Sequence, residues 1–388
     1  MDADAGRRAV RHACCVTLAL IGNPTRTNVL LVYAWRARGV DARILWPREA
    51  LETLGSGDTA VTRLDVLPTL DGVEPGLELV GELGGRGVRV LNGPAALLAA
   101  HDKLRTSELL AGAGLPHPWA IHVAPGSPLP AVPLPCVVKP RFGSWGQEVH
   151  LCRTLEDVER CLERIADRTW WSVHGALVQE LAGPVARDVR VVVAGDRVVA
   201  GAQRIAAPGE WRTNVTLGGR VVEAELPPDT AELAVDAARA LGIDFAGVDL
   251  LPVAGGWTIL ELNGAVDFDT RYSLAGIDPF AAILEGLGIA AREPRRTTRA
   301  GTLDGETKEV VMVKTVQGKP AQAGDEIVVT GHTVGDSPRT AVILEVLGEP
   351  DHQRFHVRWE DGHESIFFPG EDAVVRRPEK RKRSKSAA

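Results

Sequence analysis

The sequence predicts a mixed α/β (α+β) protein that ends in a small all-β module. In residues 16–95, short apolar runs alternate with helical stretches, a pattern typical of β-α-β units. A second α/β region runs from about His101 to Gly288. From Gly324 to Arg376, short strand-like runs are separated by Gly, Asp and Pro, which indicates an all-β fold.

The N-terminal region predicts a β-α-β unit. VTLALI, residues 16–21, has the pattern of a buried strand. Residues 27–38 predict a helix that Gly39 ends, and DARILW, residues 41–46, predicts the second strand. We therefore expect a small α/β domain at the start of the chain.

Composition limits the possible classes of protein. At 388 residues, the chain is long enough for two or three domains, and its net charge of −7 argues against a protein that coats nucleic acid. Hydrophobic content of 45% and charged content of 24% are ordinary for a globular protein. The five cysteines include no C-x-x-C pair, which indicates neither a disulfide framework nor a zinc ribbon. No apolar run approaches ~18 residues and no signal peptide is recognisable, so we expect a cytoplasmic protein without a membrane segment.

The stretch GVDLLPVAGGWTILELNGAVDFD, residues 247–269, predicts a β-hairpin with an unusual charge arrangement. Two apolar runs flank the turn AGG. A three-residue turn places Val253 opposite Trp257, and counting outward from this pair sets Asp249 opposite Glu261. Like charges directly opposite each other in a sheet are destabilising, so this pairing needs an explanation.

A bound cation would explain the pairing. Asn263 lies two residues beyond Glu261 and shares its face of the strand. Two carboxylates and an amide oxygen are hard-oxygen ligands that suit Mg²⁺, whose remaining ligands usually come from phosphates. The alternative is that the carboxylates are solvated on an exposed face.

Other segments favour a nucleotide site. CVVKP places Lys139 in a β-branched strand, where an unpaired ammonium is costly to bury. In the following RFGSWGQEV, Gly143 and Gly146 would let backbone N–H groups approach a phosphate, although an ordinary turn is the alternative. LVQELAGP, residues 177–184, predicts a strand whose end could bind the edge of an adenine ring. Lys103 begins a predicted helix and, taken alone, is an ordinary surface lysine.

Taken together, the motifs of residues 91–288 resemble the ATP-grasp ligases. The segments that carry the resemblance follow in order: LNGPAALLAAHDKLRTSELL, CVVKPRFGSWGQEV, LVQELAGPVARDVRVVVAGDRVVAGAQRIA, EWRTNVTLGG, AGVDLL and ILELNGAVDFD. The chain is most similar to the RimK and LysX group, which includes the α-L-glutamate ligases. GSWG and VDFD resemble the LysX side, whereas the arginine of WRTN resembles the RimK side. The N-terminal β-α-β region is similar to the pre-ATP-grasp domain of that group.

The resemblance implies a role for each matching residue. The residues implied for ATP are Lys103, Lys139, Gly143, Ser144, Trp145, Gly146, Gln179, Glu180, Leu181, Asp188 and Arg212. Those implied for Mg²⁺, with Mn²⁺ as an alternative ion, are Asp249, Glu261 and Asn263. Those implied to face the γ-phosphate and the substrate carboxylate as catalytic residues are Arg190, Arg204 and Asn214.

The resemblance also implies a reaction. It is an ATP- and Mg²⁺-dependent ligation of a carboxylate to an amine through an acyl phosphate, with glutamate or another amino acid added to a peptide, protein or carrier. Asp267, Asp269 and Arg271 follow the metal motif and either select the amine-bearing substrate or form a polar loop. A non-catalytic, nucleotide-binding protein that is delivered to a ribosome or another partner is the competing hypothesis.

These patterns predict the domain organisation of the whole chain. The expected segments are a pre-ATP-grasp domain at 1–95, an ATP-grasp domain at 96–288, a linker at 289–323, an SH3-like barrel at 324–376 and a basic disordered tail at 377–388. The barrel region resembles a small actinobacterial domain of unknown function, either a partner-binding module or a stabilising appendage. The tail could contact RNA or ribosomes electrostatically, or it is a solvated terminus. We also expect a homo-oligomer.

Overall fold

The computed structural model describes residues 16–182, 186–223, 225–290, 321–329, 339–347, 354–360, 364–367 and 373–376. The chain divides into two compact units, unit 1 (Met1–Arg296) and unit 2 (Thr297–Ala388). This division falls within the predicted linker, most of which lies outside the described residues, as does the predicted basic tail. No described helix has the length and apolar character needed to span a membrane.

Unit 1 begins with a parallel sheet, as the β-α-β pattern predicts. Its strands, in the order β2-β1-β3-β4, are β1 (Thr17–Ile21), β2 (Asp41–Leu45), β3 (Thr59–Thr62) and β4 (Arg89–Leu91). The connecting helices are α1 (Arg26–Ala37), α2 (Pro47–Thr53) and α3 (Leu77–Gly85). The Thr25 side chain caps α1 by accepting a hydrogen bond from the backbone N–H of Asn28 at 3.3 Å. Gly39, at φ +77°, takes the left-handed conformation just after α1 ends, as the sequence predicts.

A second, antiparallel sheet follows, with strand order β5-β8-β6-β7. It comprises β5 (Ala120–Val123), β6 (Cys136–Pro140), β7 (His150–Cys152) and β8 (Ala176–Glu180). Two helices precede this sheet in the chain, α4 (Pro94–His101) and α5 (Lys103–Gly112). Two more lie between β7 and β8, α6 (Leu155–Ile165) and α7 (Thr169–His174). Cys136 on β6 lies opposite Cys152 on β7, and both are free thiols. They are buried in an apolar core, so they act as packing residues here.

The central sheet is antiparallel, with the order β11-β10-β9-β12-β13. It comprises β9 (Arg187–Ala194), β10 (Arg197–Ile205), β11 (Arg220–Val222), β12 (Phe245–Val253) and β13 (Gly256–Asn263). Short 3₁₀ turns lie at Val215–Leu217 and Thr270–Tyr272, and the remaining helices are α8 (Pro228–Leu241) and α9 (Pro279–Gly286). Helix α8 packs on one face of this sheet. The apolar part of the other face shares a core with α1, α9 and the N-terminal sheet, so residues before and after position 95 pack as one unit.

The hairpin of β12 and β13 turns earlier than predicted. Val253 pairs with the first residue of β13, so the turn has two residues and the predicted pairing of Val253 with Trp257 is wrong. A β-bulge at Leu260 then takes up one extra residue in β13. Asp249 therefore still lies opposite Glu261, as predicted.

Unit 2 is all-β in its described residues, as the sequence predicts. Its antiparallel strands, in the order β17-β16-β15-β14-β18, are β14 (Glu326–Val329), β15 (Arg339–Leu347), β16 (Arg354–Trp359), β17 (Glu364–Phe367) and β18 (Ala373–Arg376). Ile327, Ile343, Phe355 and Val357 form the centre of its small core.

Candidate active site

Most of the predicted site residues line one pocket in unit 1. The predicted residues that line it are Lys103, Lys139, Gly143, Ser144, Trp145, Gly146, Gln179, Glu180, Leu181, Asp188, Arg212, Asn214 and Glu261. Four other predicted residues, Arg190, Arg204, Asp249 and Asn263, do not line this pocket.

Two lysines and one carboxylate mark one end of the pocket. Lys103 donates to the carbonyl oxygen of Gly143 at 2.6 Å and lies 3.2 Å from Glu261 Oε2. Lys139 is only 4% exposed and donates to Gln179 Oε1 at 2.7 Å. Burial and the nearby charge of Lys103 lower the pKa of Lys139 to about 8. Two ammonium groups that line one pocket favour an anionic ligand there.

We expect nucleotide binding to raise the pKa of Lys139 and so to take up protons. Because the free protein holds this pKa near 8, Lys139 is about half protonated at that pH, and a bound triphosphate would complete its protonation. Calorimetric titration with MgATP at pH 8, in buffers of different ionisation enthalpy, should show uptake of about half a proton. In the Lys139→Arg variant the uptake should vanish, since arginine stays protonated. Proton release, or equal uptake by this variant, would contradict the assignment.

The glycine-rich loop contacts the segment that follows β10. Gly146 has φ +71°, and a Cβ at this position would lie 2.6 Å from Asn214 Oδ1, so only glycine fits. Arg212 Nη1 donates to the carbonyl oxygen of Gly146 at 2.9 Å. Glu210 holds the same guanidinium through Nε at 3.0 Å and Nη2 at 2.8 Å. Thr216 Oγ1 also donates to the Trp145 carbonyl at 3.2 Å, so the two segments are joined at one side of the pocket.

A row of charged residues crosses the central sheet beside the pocket. Arg204 on β10 lies opposite Asp188 on β9, and Arg190 on β9 lies opposite Asp249 on β12. Asp249 in turn lies opposite Glu261 on β13. The topology thus brings basic residues of β9 and β10 next to the acidic pair of the hairpin.

Each carboxylate of the hairpin has a basic partner. Arg190 binds Asp249 in a bidentate pair, with distances of 2.7 and 2.8 Å, and Arg204 Nη2 donates to Asp249 Oδ2 at 2.8 Å. Glu261 is balanced by Lys103. Asp249 is 1% exposed, so the alternative of a solvated sheet face is wrong for this residue. The like charges are therefore compensated within the protein itself.

Arg204 is bound to a second carboxylate as well. Its Nε donates to Asp188 Oδ1 at 2.8 Å, and its Nη2 contacts Asp188 Oδ2. Thr213 Oγ1 donates to the same Asp188 oxygen at 2.6 Å. Burial opposes the charge of Arg204, but Asp249 and Asp188 hold its pKa well above the ordinary value. The guanidinium is a fixed, fully charged group behind the pocket wall.

Glu261 and Asn263 fit a magnesium ion better than Asp249 does. Glu261 lines the pocket, and the Asn263 amide nitrogen is buried and has no hydrogen-bond partner in the described part of the chain. A 180° flip of that amide would place its oxygen, a possible metal ligand, where the unpaired nitrogen now lies. Asp249, by contrast, already accepts three arginine hydrogen bonds. No group of three or more His, Cys, Asp or Glu residues is placed to hold a metal within the described ranges, so phosphate and water would complete the shell.

The predicted adenine segment is partly occupied by internal hydrogen bonds. The backbone N–H of Glu180 donates to the Trp119 carbonyl at 2.8 Å, and that of Leu181 reaches the Pro135 carbonyl at 3.4 Å. The first bond has ordinary geometry, whereas the second is long for an N–H···O bond. Leu181 therefore offers the backbone donor that a base edge could most readily bind.

Several residues of the site are missed by sequence reasoning. Val137, Leu251 and Leu260 line the pocket with apolar surface, and the bulge at Leu260 has no signal in the sequence. Arg141 binds Asp102 in a bidentate pair at 2.7 and 2.5 Å. Asp102 also caps α5, so this pair fixes the start of the helix that carries Lys103. An Asp immediately before a predicted helix could have identified this cap.

Comparisons with known proteins agree with this geometry. Residues 100–287 match the family described as RimK-like ATP-grasp domain, and residues 308–375 match DUF1918, a domain of unknown function. A probable alpha-L-glutamate ligase 1 of Shewanella amazonensis is 30% identical, over 70% of this chain and 94% of the relative. A probable alpha-L-glutamate ligase of Xanthomonas campestris pv. campestris is 31% identical, over 68% of this chain and 94% of the relative.

A solved structure shares the fold. The ATP-grasp ligase PsnB, complexed with a phosphomimetic variant of a minimal precursor, Mg and ADP, aligns with a TM-score of 0.50 at 18% identity. The alignment covers 70% of this chain and 98% of PsnB.

The fold and pocket define an ATP-grasp ligase, an ATP-dependent enzyme that joins a carboxylate to an amine and forms a C–N bond. The chain belongs to the RimK-like alpha-L-glutamate ligase family, because it is 30–31% identical to members of which it covers 94%. The family, the fold class and the class of enzyme expected from the motifs are thereby confirmed.

Proposed function

We propose that the protein adds an amino acid, glutamate first among the candidates, to the carboxylate of a peptide, protein or carrier through an acyl phosphate. The observation that carries this proposal is the pair Lys103 and Lys139, which face one end of a pocket beside Glu261. The buried Lys139 and the second lysine, Lys103, line one pocket and are suited to a triphosphate, and a carboxylate beside them is suited to its Mg²⁺. Mn²⁺ takes similar oxygen ligands and is an alternative ion.

The proposed chemistry has two steps. A substrate carboxylate oxygen attacks the γ-phosphorus of ATP, the bond to the β-phosphate oxygen breaks, and ADP leaves. The amine nitrogen then attacks the acyl carbon, phosphate leaves with the former carboxylate oxygen, and the nitrogen loses a proton. The metal ion, held by Glu261 and Asn263, would neutralise charge on the phosphates.

The other site residues have electrostatic and positioning roles in this proposal. Lys103 and Lys139 bind phosphate oxygens, and Arg212 and Asn214 approach the triphosphate together with the glycine-rich loop. Arg190 and Arg204, fixed by Asp249 and Asp188, supply a preorganised positive field where phosphoryl charge develops. No side-chain nucleophile is required.

The relatives support the choice of substrate. The curated relatives carry the name alpha-L-glutamate ligase, and PsnB was solved with a precursor. We therefore infer an amino acid as the amine and a peptide-like molecule as the carboxylate substrate.

Phosphate release tests the proposed function. Purified protein with ATP and Mg²⁺ is assayed against a panel of amino acids, each with and without acidic peptides, and the products are analysed by mass spectrometry. The proposal expects phosphate release that depends on an amino acid, together with a product whose mass has increased by one residue. Tight nucleotide binding without amino-acid-dependent release under any of these conditions would support the non-catalytic hypothesis instead.

Removing unit 2 is expected to leave nucleotide binding intact. All assigned residues lie in unit 1, and unit 2 has its own core. A protein ending at Arg296 should bind MgATP within about threefold of the full chain, as expected for independent units. Calorimetric titration of both proteins measures this. A truncated protein that folds, as judged by circular dichroism, but no longer binds ATP would show that the units depend on each other.

A further inference from the structure

Arg63 is a buried arginine that hydrogen-bonds to no carboxylate among the described residues, and its guanidinium carbon lies 5.1 Å from the centre of the Phe245 ring. It directly follows β3 and is 2% exposed. Its Nε donates to Asn28 Oδ1 at 2.6 Å, and its Nη2 donates to the Val266 carbonyl at 2.7 Å. Both acceptors are neutral. The remaining nitrogen, Nη1, is buried without a hydrogen-bond partner among the described residues.

This isolation is unfavourable. Burial lowers the pKa of Arg63 to about 10, although Asp267 and Asp65 partly oppose the shift. Arg204 is also buried and Arg190 is partly buried, but each is bound to a carboxylate. Burying a charge without a hydrogen-bonded counter-charge is unfavourable, because the charge loses its hydration. Nη1 of Arg63 is therefore an unused donor within the described part of the chain, and an anionic ligand would satisfy it.

Two carboxylates lie near Arg63 without pairing to it. Asp65 is partly exposed, and burial raises its pKa to about 6, with Asp267 and Glu74 adding to the rise. The nearest basic ring, that of His101, lies 3.9 Å from Asp65, but burial lowers the pKa of His101 to about 4, so it is neutral at pH 7. Asp267 is exposed and accepts a hydrogen bond from Thr27. These groups thus leave negative charge near Arg63.

His101 connects the segment that carries Arg63 and Asp65 with the loop that follows Asn263. His101 Nε2 lies 2.9 Å from the carbonyl oxygen of Leu64, between Arg63 and Asp65 in the chain. A Cβ on Gly264, next to Asn263, would lie 3.4 Å from the same ring nitrogen. The loop that follows the proposed metal ligands therefore reaches this cluster.

We propose that Arg63, Asp65 and Asp267 form a subsite for the amino-acid substrate, with its α-carboxylate on Arg63 and its α-ammonium on Asp65 and Asp267. This inference rests on the proposed function. A simple anion would satisfy Arg63 but would be repelled by the two carboxylates. A simple amine would satisfy the carboxylates and leave Arg63 unpaired. A zwitterion supplies both charges.

The test is direct binding of free amino acids. Calorimetric titrations use L-glutamate, the other common amino acids, N-acetyl-L-glutamate and L-glutamic acid α-amide, at a saturating non-hydrolysable MgATP analogue. The derivatives lack the ammonium or the α-carboxylate, and each should bind about tenfold or more weakly than L-glutamate, or than the amino acid that binds best. If no amino acid binds the wild-type protein, or if the derivatives bind as well as their parent, the proposal is overturned.

Two variants locate the subsite. Arg63→Lys keeps the charge but replaces the three guanidinium nitrogens by a single ammonium, and Asp65→Asn removes one negative group. Each should weaken amino-acid binding about tenfold or more and leave binding of the MgATP analogue unchanged. Arg89→Lys is the matched control, because Arg89 also donates to a main-chain carbonyl, that of Leu287 at 2.8 Å, but pairs with Thr59 at the other end of β3. This control should bind both ligands as the wild type does.

These measurements separate the subsite from the proposed function. Equal loss of amino-acid and nucleotide binding in both variants would show a purely structural role and would overturn the subsite. Unchanged amino-acid affinity in both variants would overturn it too, whereas the proposed function would stand if wild-type protein still released phosphate in response to an amino acid. Failure of that phosphate release would count against the proposed function alone, because the titrations measure binding without turnover.

Discussion

Replacing Glu261 with glutamine is expected to lower ATP turnover by ~100-fold or more, because a charge-neutralising metal ligand is lost. The Glu261 side chain is one-fifth exposed and lines the pocket, so glutamine of the same shape should leave the fold intact. The loss should be accompanied by a higher Mg²⁺ requirement. Initial rates of phosphate release over a series of MgCl₂ concentrations, together with thermal melting, measure both effects.

A matched control separates a metal role from a general charge effect. Glu285 is exposed and pairs with Arg197 at 3.6 Å, so it resembles Glu261 in having a basic partner but lies outside the pocket. Glu285→Gln should turn over ATP at the wild-type rate. Near wild-type turnover by the Glu261→Gln protein would refute the proposed magnesium site.

The pairing of Asp249 with Glu261 is predicted correctly, although the turn and the register on which the prediction is based are different in the structure. Alternating apolar residues around Gly255 predict two strands, and the pairing of Asp249 with Glu261 is correct. The turn, however, is shorter by one residue than predicted, and a bulge at Leu260 restores the register. A bulge depends on how the strand packs against the rest of the sheet, and no residue pattern within the hairpin indicates it.

The basic partners of the hairpin could not be predicted from its own sequence. Arg190 and Arg204 lie some fifty residues earlier in the chain and reach Asp249 only because β9 is inserted between β10 and β12. Sequence reasoning therefore inferred a metal ion from repulsion that arginines already relieve at Asp249. Lys139 is the opposite case, since its apolar strand predicts burial directly and the structure places it there.

In the N-terminal region, too, the order of the elements can be predicted from the sequence but the contacts between distant residues cannot. Its β-α-β order follows from the spacing of apolar runs and of Gly39. Nothing in TRLD, residues 62–65, distinguishes Arg63 from a surface arginine, because its isolation depends on contacts with Asn28 and Val266 from two other segments. Long-range contacts of this kind decide which charged residues belong to a site.

We expect Asp249→Asn to lower the free energy of unfolding strongly, because Arg190 and Arg204 both bind this carboxylate. Asparagine has nearly the same shape, but it would leave Arg190 and Arg204 with only Asp188 to balance them. Breaking a buried ion pair by removing one partner typically costs about 3–5 kcal/mol. Urea denaturation followed by tryptophan fluorescence measures the loss, because every tryptophan except Trp359 lies in unit 1.

The pH dependence of this loss identifies its cause. Burial alone would raise the pKa of Asp249, but the charges and hydrogen bonds of Arg190 and Arg204 hold it well below its usual range. A carboxyl group with a depressed folded-state pKa stabilises the fold at every pH above its unfolded pKa and loses this effect only as the pH falls through the folded value. The difference in unfolding free energy between the wild type and Asp249→Asn should therefore stay constant between about pH 5 and pH 8. Asp236→Asn, which breaks an exposed pair with Arg239, should cost less than about 1 kcal/mol over the same range. A cost of that small size for Asp249→Asn would mean that the arginines do not depend on this carboxylate, and Asp249 would then be free to bind the metal ion instead.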